Sequence, residues 1–200
     1  TLHLGLDLKK FEEYRPQLAR ETHRPPLILW NHRWEYDKNP REFFQALYIL
    51  QDKNIDFEVA VLGESYQKMP EVFTEAKVRL ADRIVHWGYV ENFSDYAGWL
   101  WQADVLPVTS IHDFFGVSVV QAIYCNCFPL LPKRLAYPEH VTANYHDCCF
   151  YRSFDDLVVQ LEGACLGVES LRQEKLKTMV DHYDWGKMVA VYDDLLAKLY

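Results

Sequence analysis

The sequence predicts an α/β fold, a Rossmann-like doubly wound parallel sheet. Six short apolar segments of strand length alternate with segments of helical periodicity, the repeating pattern of such a sheet. Half of the 200 residues are hydrophobic and a quarter are charged, so the chain can bury a substantial core. Residues 103–132 show the unit most clearly: a strand, a loop carrying Asp113, a helix opened by Gly116 and a second strand ended by Pro132. We therefore expect a ligand beyond the carboxyl ends of the strands.

The chain divides by composition into three parts. Residues 1–26 are mostly polar and end at the stiff Arg24-Pro25-Pro26, so we interpret them as a linker or leader. Residues 27–182 hold all six strand segments and are interpreted as one domain. Residues 183–200 are interpreted as a C-terminal amphipathic helix, with apolar residues recurring at helical spacing.

The first strand is expected at 27–30, an unbroken apolar run. The loop that follows carries two cations, Arg33 and Lys38. Asn39 is the expected cap of the next helix, with Glu42 completing a capping box, and Pro40 fits its first position. Two cations between a strand and a helix, at the carboxyl edge of the sheet, favour an anionic ligand there.

The later elements follow from the same patterns. Strands are expected at 57–62, 84–87, 103–108, 127–131 and 148–151, and helices at 69–80, 93–102, from Gly116, and at 154–166, 169–182 and 185–200. Ser153 with Asp156 predicts a capped helix start. In the helix at 69–80, Val72, Ala76 and Leu80 are expected to face the core, with Val78 beside them.

Composition excludes several classes of protein. A formal charge of −8 argues against a strongly basic nucleic-acid-binding module, and no apolar run reaches the length of a membrane span. The first residues lack the pattern of a signal peptide. The odd number of cysteines, most of them in apolar strand-like runs, predicts reduced, buried thiols in a cytoplasmic protein, and their spacing is not that of a zinc site. These cysteines are Cys125, Cys127, Cys148, Cys149 and Cys165.

The common nucleotide-binding motifs are absent from the sequence. No Gly-x-Gly-x-x-Gly follows the first strand, and no Walker A motif occurs. An anion must therefore be held in another way. We expect the backbone N–H groups near Phe115, Gly116 and Val117 to contribute, because they open a helix.

The segment Asp113-Phe-Phe-Gly-Val-Ser-Val-Val-Gln121 resembles the signature of the retaining family 4 glycosyltransferases of the GT-B fold, in which two glutamates stand eight positions apart. Arg33 and Lys38 after the first strand, Gly63 after the second and Gly88-Tyr89-Val90 after the third follow that family's order. The resemblance implies the second, donor-binding half of a GT-B enzyme, a nucleotide-sugar-binding domain.

A narrower resemblance covers roughly residues 22–145. The stretches 29–40, 86–89 and 122–139 are similar to family members that modify queuosine in tRNA. This resemblance implies a GDP-mannose donor and a queuosine-modified tRNA acceptor, held mainly by an N-terminal domain outside these 200 residues. We expect the 200 residues alone to bind GDP or GDP-mannose weakly and to transfer nothing.

The family resemblance assigns roles to individual residues. Arg33 and Lys38 are expected to stabilise the leaving diphosphate, and Asp113 to accept hydrogen bonds from sugar hydroxyls. The expected donor-binding residues are His32, Gly63, Glu64, Gly88, Tyr89, Val90, Phe115, Gly116, Val117 and Gln121. No obligatory metal is expected, which is consistent with the absence of an Asp-x-Asp motif.

Two residues depart from the family signature. Asp113 is one methylene shorter than the usual glutamate. Gln121 is a neutral amide, so donor affinity is expected to fall by about 1–2 kcal/mol. Two alternatives stay open: a GT-B transferase with another donor, such as UDP-glucose, and a non-RNA acceptor, or a glycosyltransferase-like binding module without catalysis. A flavodoxin-like regulatory domain ranks below both, because no cluster of acids ends the first strand.

Overall fold

The computed structural model describes residues 3–16, 24–65 and 69–198. Within them a six-stranded parallel sheet has the strand order β3-β2-β1-β4-β5-β6. The strands are β1 (Leu27–Trp30), β2 (Glu58–Leu62), β3 (Ile84–Gly88), β4 (Val105–Pro107), β5 (Phe128–Pro132) and β6 (Phe150–Tyr151). The strand order reverses between β1 and β4, so their diverging loops leave a crevice at the carboxyl edge. The predicted doubly wound sheet is confirmed.

Helices occupy the crossovers between strands, and three more follow the last strand. They are α1 (Pro40–Asp52), α2 (Glu71–Arg79), α3 (Phe93–Gln102), α4 (Val117–Tyr124), α5 (Tyr137–His140), α6 (His146–Cys149), α7 (Phe154–Leu166), α8 (Val168–Leu171) and α9 (Trp185–Ala197). Helix α1 packs against α2 and α7, and α3 packs against α4. Every residue of β1, β4 and β5 is buried, which explains why these strands are continuous apolar runs.

The start of α1 differs from the predicted capping box. Asn39 has a left-handed backbone (φ 50°) and its side chain forms no cap hydrogen bond. Its N–H donates to the carbonyl of Tyr36 instead, because Asn39 ends the 3-10 turn Tyr36–Lys38. Pro40 does occupy the first turn of the helix, as expected. The cap at α7 is confirmed, since the N–H of Asp156 donates to Ser153 Oγ (3.2 Å).

Two predicted elements near the end of the chain are wrong. Cys148 and Cys149 lie in α6, and the last strand is Phe150–Tyr151 alone. The helix expected at 169–182 is divided into α8 and the 3-10 turns Leu176–Met179 and Asp181–Tyr183.

A long-range contact explains that division. Arg172, directly after α8, donates from Nε and Nη2 to both carboxylate oxygens of the buried Asp104, at 3.1 Å each. The N–H of Lys177 donates to Asn126 Oδ1 at 3.1 Å. These tertiary contacts hold the segment against the sheet and override its helical periodicity.

The buried face of α2 also differs from the prediction. Phe73, Ala76 and Leu80 are buried, whereas Val78 is 78% exposed and Val72 is half-buried. The ring of Phe73 stacks on Trp34, with 4.6 Å between centroids. This aromatic contact sets the rotation of α2 about its axis.

Part of the segment predicted as a linker or leader packs on the domain. Leu8 and Phe11 are buried, and the indole N–H of Trp101 donates to the carbonyl of Phe11 (2.8 Å). Leu6 pairs with Asp184 in a short parallel bridge. Residues 1–2, 17–23 and 199–200 lie outside the described residues, so the division of the chain at 26 and 182 stays a prediction.

The C-terminal helix α9 is amphipathic, as expected, but mostly exposed. Met188 is its buried residue, whereas Val189, Leu195 and Leu196 are 38–54% exposed. Among the described residues we find no helix with the length and apolar character needed to span a membrane.

Candidate active site

An open pocket of about 170 Å³ lies beyond the carboxyl ends of β1, β2 and β3. It is lined by Asn31, His32, Arg33, Leu62, Gly63, Glu64, Tyr89, Val90 and Tyr96. Six of the residues expected at the site, including Arg33 and Tyr89, are therefore brought together. The position matches the crevice expected from the reversal of strand order.

Two glycines shape the pocket. Gly63 has φ 105°, and an added Cβ would lie 2.6 Å from the carbonyl oxygen of His32, so no side chain fits between these loops. Its N–H donates to the carbonyl of Gly88 at 3.1 Å. Gly88 itself has φ 126°, and a Cβ there would meet no atom within 4 Å. The Cα of Gly88 is therefore open to close approach by a ligand, while its carbonyl is already hydrogen-bonded.

Lys38 and Asp113 meet beside this pocket. Nζ of Lys38 lies 3.5 Å from Oδ2 of Asp113 and 3.5 Å from Oδ2 of Asp37, and donates to the carbonyl of His112 (2.8 Å). The two side chains of the Lys38–Asp113 pair are 10% and 16% exposed. Tyr137 Oη donates to Asp113 Oδ2 at 3.3 Å. The loops after β1 and β4 are thus joined by a partly desolvated charge cluster.

Arg33 differs from Lys38 in its surroundings. Its side chain is 57% exposed, and its one described ion pair, with Asp37, is 4.0 Å long. The guanidinium therefore stands at the rim of the pocket, where a ligand can recruit it at little cost.

His32 is a buried, neutral wall of the pocket. Burial, with a further effect of the Lys38 charge, lowers its pKa to about 4. Its Nδ1 lies 3.0 Å from Ser118 Oγ, whereas Nε2 is buried without a hydrogen-bond partner. Oδ1 of Asn31, also in the pocket wall, is likewise unpaired. Buried polar atoms are nearly always paired, so these two atoms are candidate contacts for a polar ligand in the pocket.

Gln121 is held by Tyr96 from helix α3. Tyr96 lines the pocket and donates from Oη to Gln121 Oε1 at 2.8 Å. Burial raises the pKa of the Tyr96 phenol above its ordinary value, so it remains a neutral donor. One acceptor position of the Gln121 amide is therefore already used by the protein.

The start of α4 is held by contacts with residues from later elements of the chain. Gly116 precedes the helix with φ 86°, and a Cβ there would lie 3.0 Å from the Tyr137 ring. The carbonyl of Phe115 lies within hydrogen-bond distance of His140 Nε2, and the Phe115 ring packs against Tyr183. These contacts fix the position of the start of α4, which begins at Val117 after β4.

Residues 10–162 match the family model described as "Glycosyl transferases group 1". The chain belongs to this family. The family, predicted from the segment between Asp113 and Gln121, is confirmed.

This group 1 domain is similar to two curated proteins. It is 39% identical over 112 residues to a Drosophila melanogaster tRNA-queuosine alpha-mannosyltransferase, a match covering 56% of this chain and 29% of that protein. It is 26% identical over 157 residues to a Mycobacterium tuberculosis GDP-mannose-dependent alpha-(1-6)-phosphatidylinositol dimannoside mannosyltransferase. That match covers 74% of this chain and 39% of the mycobacterial protein. The matched regions thus span well under half of each relative.

A solved structure shows which part of the fold is present. The C-terminal domain of a glycosyl transferase group 1 family protein (LpcC) from Francisella tularensis superposes with a TM-score of 0.68 at 18% identity. The match covers 88% of this chain and 95% of that domain. The predicted fold, the C-terminal half of a GT-B architecture, is confirmed.

The group 1 domain places charge, acceptors and open backbone around one pocket. Lys38 and Arg33 supply positive charge, Asp113 supplies an acceptor, and open space lies beside Cα of Gly88. Among the described residues no group of three His, Cys, Asp or Glu side chains is placed to hold a metal ion. The described cysteines form no disulfide bond, and Cys148 is the exposed one.

Several residues that build this site carry no local sequence signal. Ser118 fixes His32, Tyr96 fixes Gln121, and Tyr137 fixes Asp113. Each partner comes from a different element than the residue it holds. Only the spatial arrangement reveals these pairs, although aromatic residues with a polar end often signal such contacts.

Proposed function

We propose that this chain is the donor-binding domain of a retaining glycosyltransferase that transfers mannose from GDP-mannose to queuosine in tRNA. The observation that carries the proposal is the Lys38–Asp113 pair beside a pocket whose buried polar atoms, on Asn31 and His32, lack partners. A nucleotide sugar offers the diphosphate, the hydroxyls and the base that such a site can bind.

The diphosphate lies in this proposal between Lys38, Arg33 and the first turn of α4. Lys38 is held in place before the ligand arrives, whereas Arg33 is exposed and closes over it. Cations and oriented N–H groups stabilise the charge that develops on the leaving phosphate. Because these groups supply positive charge, we propose that no obligatory metal takes part.

The sugar and the nucleoside occupy neighbouring regions. Asp113 accepts hydrogen bonds from hydroxyls of the transferred sugar, and Gln121 from the ribose. The base lies in the pocket against Tyr89 and Val90, beside the open space at Cα of Gly88. Backbone groups of Tyr89 and Val90 can distinguish bases by their hydrogen-bonding edges.

The choice of donor and acceptor rests on the relatives. The Drosophila protein is named as a tRNA-queuosine mannosyltransferase, and the mycobacterial one as GDP-mannose-dependent. Both names specify transfer of mannose, which supports the same sugar here. The tRNA is proposed to bind mainly to an N-terminal domain. Because the described cysteines form no disulfide bond, we propose a reducing, cytoplasmic location.

A binding module without catalysis is the second candidate. The observation that favours it is Gln121, whose amide oxygen already accepts from Tyr96. A carboxylate at that position offers a second oxygen to a ribose, which the amide does not.

Mannosyl transfer by the full-length protein tests the proposal. Radiolabelled GDP-mannose is incubated with queuosine-containing tRNA, and with the same tRNA prepared without queuosine. We expect label in the queuosine-containing tRNA alone, loss of label with Asp113→Asn, and normal labelling with the exposed control Asp147→Asn. Binding of GDP without transfer to either tRNA would favour the binding module. Transfer from UDP-glucose but not GDP-mannose would refute the proposed donor.

A further inference from the structure

A second cavity, of about 460 Å³, lies beyond the carboxyl ends of β5 and β6. It is lined by Glu42, Pro132, Lys133, Arg134, Tyr151, Arg152, Ser153 and Phe154. None of these residues belongs to the pocket assigned to the nucleotide sugar. The cavity stands on the same edge of the sheet as the candidate active site, because every strand is parallel.

Three cations face this cavity against one carboxylate. Lys133, Arg134 and Arg152 are exposed, and none forms an ion pair with a carboxylate among the described residues. Elsewhere in the described chain cations are often paired, as Arg172 is with Asp104. Like charges around one cavity repel one another, and the whole chain carries a charge of −8. A concentration of positive charge in an acidic protein points to an anionic ligand.

Arg134 connects the cavity to the candidate active site. Its Nη2 donates to the carbonyls of Thr109 (3.4 Å) and Ser110 (2.9 Å), in the loop that leads to Asp113. Thr109 Oγ1 in turn donates to the carbonyl of Lys38 (2.8 Å). The cavity is therefore built onto the loops that carry the reacting groups.

The distance between the second cavity and the candidate active site suits a polymeric substrate. Strands β5 and β6 are two and three positions from β1, which is about 10–14 Å at the usual strand spacing. An acceptor that reacts beside Lys38 and Asp113 can reach the cavity if it extends along the sheet edge. A polynucleotide can extend in this way, and it carries a negative charge on every nucleotide.

We infer that Lys133, Arg134 and Arg152 bind the phosphate backbone of the RNA acceptor next to the nucleotide that receives the sugar. This inference rests on the proposed function and adds a contact from the donor-binding domain to those of the N-terminal domain. The contact is electrostatic, so it positions the RNA without reading its bases.

The test compares two doubly substituted full-length proteins. Lys133→Gln with Arg152→Gln removes two cavity charges and keeps Arg134, which supports the active-site loop. Lys77→Gln with Lys175→Gln removes two exposed charges that have no described ion pair and do not line the cavity. Binding of a fluorescent, unmodified tRNA transcript is measured from about 50 to 200 mM salt, and binding of GDP is measured in parallel.

We expect the cavity variant to raise the Kd for the tRNA transcript about tenfold and to reduce the salt slope by about 2. Its Kd for GDP stays unchanged, and the control variant binds both ligands normally. Equal RNA binding by the two variants overturns the inference. Weaker GDP binding by the cavity variant also overturns it, by assigning the cavity to the donor diphosphate.

The same experiment separates this inference from the proposed function. If GDP does not bind to any form of the protein, the proposed donor is wrong, while a difference in RNA binding between the variants still supports the cavity contact. If GDP binds and mannose is transferred, but the variants bind RNA equally, the cavity contact alone is wrong.

Discussion

Replacement of Lys38 by methionine removes the ammonium group from the candidate active site and keeps an unbranched side chain of similar length. Nζ of Lys38 contacts Asp37, Asp113 and the carbonyl of His112. The side chain is 10% exposed, so these contacts form away from most of the solvent. Methionine can form none of them, and it cannot bind a phosphate.

The expected size of the effect follows from this environment. A hydrogen bond to a charged group contributes about 1.5–3 kcal/mol, so loss of one bond to the diphosphate raises the Kd for GDP about 10- to 150-fold. The free energy of unfolding falls by about 1–3 kcal/mol, because Asp113 loses its cation and retains the Tyr137 hydroxyl. Arg33→Gln has a smaller effect on stability, since that side chain is 57% exposed.

Calorimetric titration with GDP and urea unfolding measure the two effects of Lys38→Met. Lys77→Met, on the exposed surface of α2, is the matched control and should change neither quantity. A folded Lys38→Met protein that binds GDP as tightly as the wild type would refute the assignment of Lys38 to the diphosphate.

Three further predictions concern the pocket wall. Burial lowers the pKa of His32 in the folded protein to about 4, whereas its pKa in the unfolded chain is about 6.5. As the pH falls through this range, the unfolded chain binds a proton that the folded protein does not, so the free energy of unfolding falls by about 3 kcal/mol. His32→Gln should flatten that dependence in urea unfolding, and an unchanged slope would contradict it. Gln121→Glu should lower the Kd for GDP about tenfold in calorimetry, since a carboxylate can accept from both Tyr96 and a ribose hydroxyl; weaker binding would contradict this. Gly63→Ala should destabilise the protein about 1–3 kcal/mol more than Gly88→Ala in thermal unfolding, because both have positive φ but only Gly63 meets a backbone oxygen; equal losses would be inconsistent with the structure.

The central strands were predictable because burial on both faces favours an unbroken run of apolar residues. β1 and β5 are unbroken apolar runs with no exposed residue, so their positions follow from hydrophobicity alone. The cap at Ser153 was predictable for a similar reason, since its partner Asp156 lies three residues away. Local signals of this kind do not depend on the rest of the fold.

The elements that sequence reasoning missed depend on distant contacts. The periodicity at 169–182 favours a helix, but the bond between Arg172 and Asp104 holds that segment in short turns. Asparagine is a common helix-capping residue, yet Asn39 ends the preceding 3-10 turn and its side chain does not cap α1.

Prediction of the candidate active site was limited in the same way, by contacts between distant parts of the chain. The motif from Asp113 to Gln121 could be recognised along the chain, and so could the cations Arg33 and Lys38. Gln121 and Asp113 are held by Tyr96 and Tyr137, which come from elements that the sheet brings close together. The second cavity joins segments more than a hundred residues apart along the chain, such as the first turn of α1 at Glu42 and the segment at Arg152, and had no sequence signal.

Calorimetric titration of the protein with GDP, UDP and ADP in parallel tests the central claim most directly. The claim is that the pocket at the carboxyl edge binds the nucleotide of a GDP-linked donor. We predict that GDP binds more tightly than UDP or ADP, and that Arg33→Ala weakens GDP binding. Absence of GDP binding, or equal binding of all three nucleotides unaffected by Arg33→Ala, would contradict the claim.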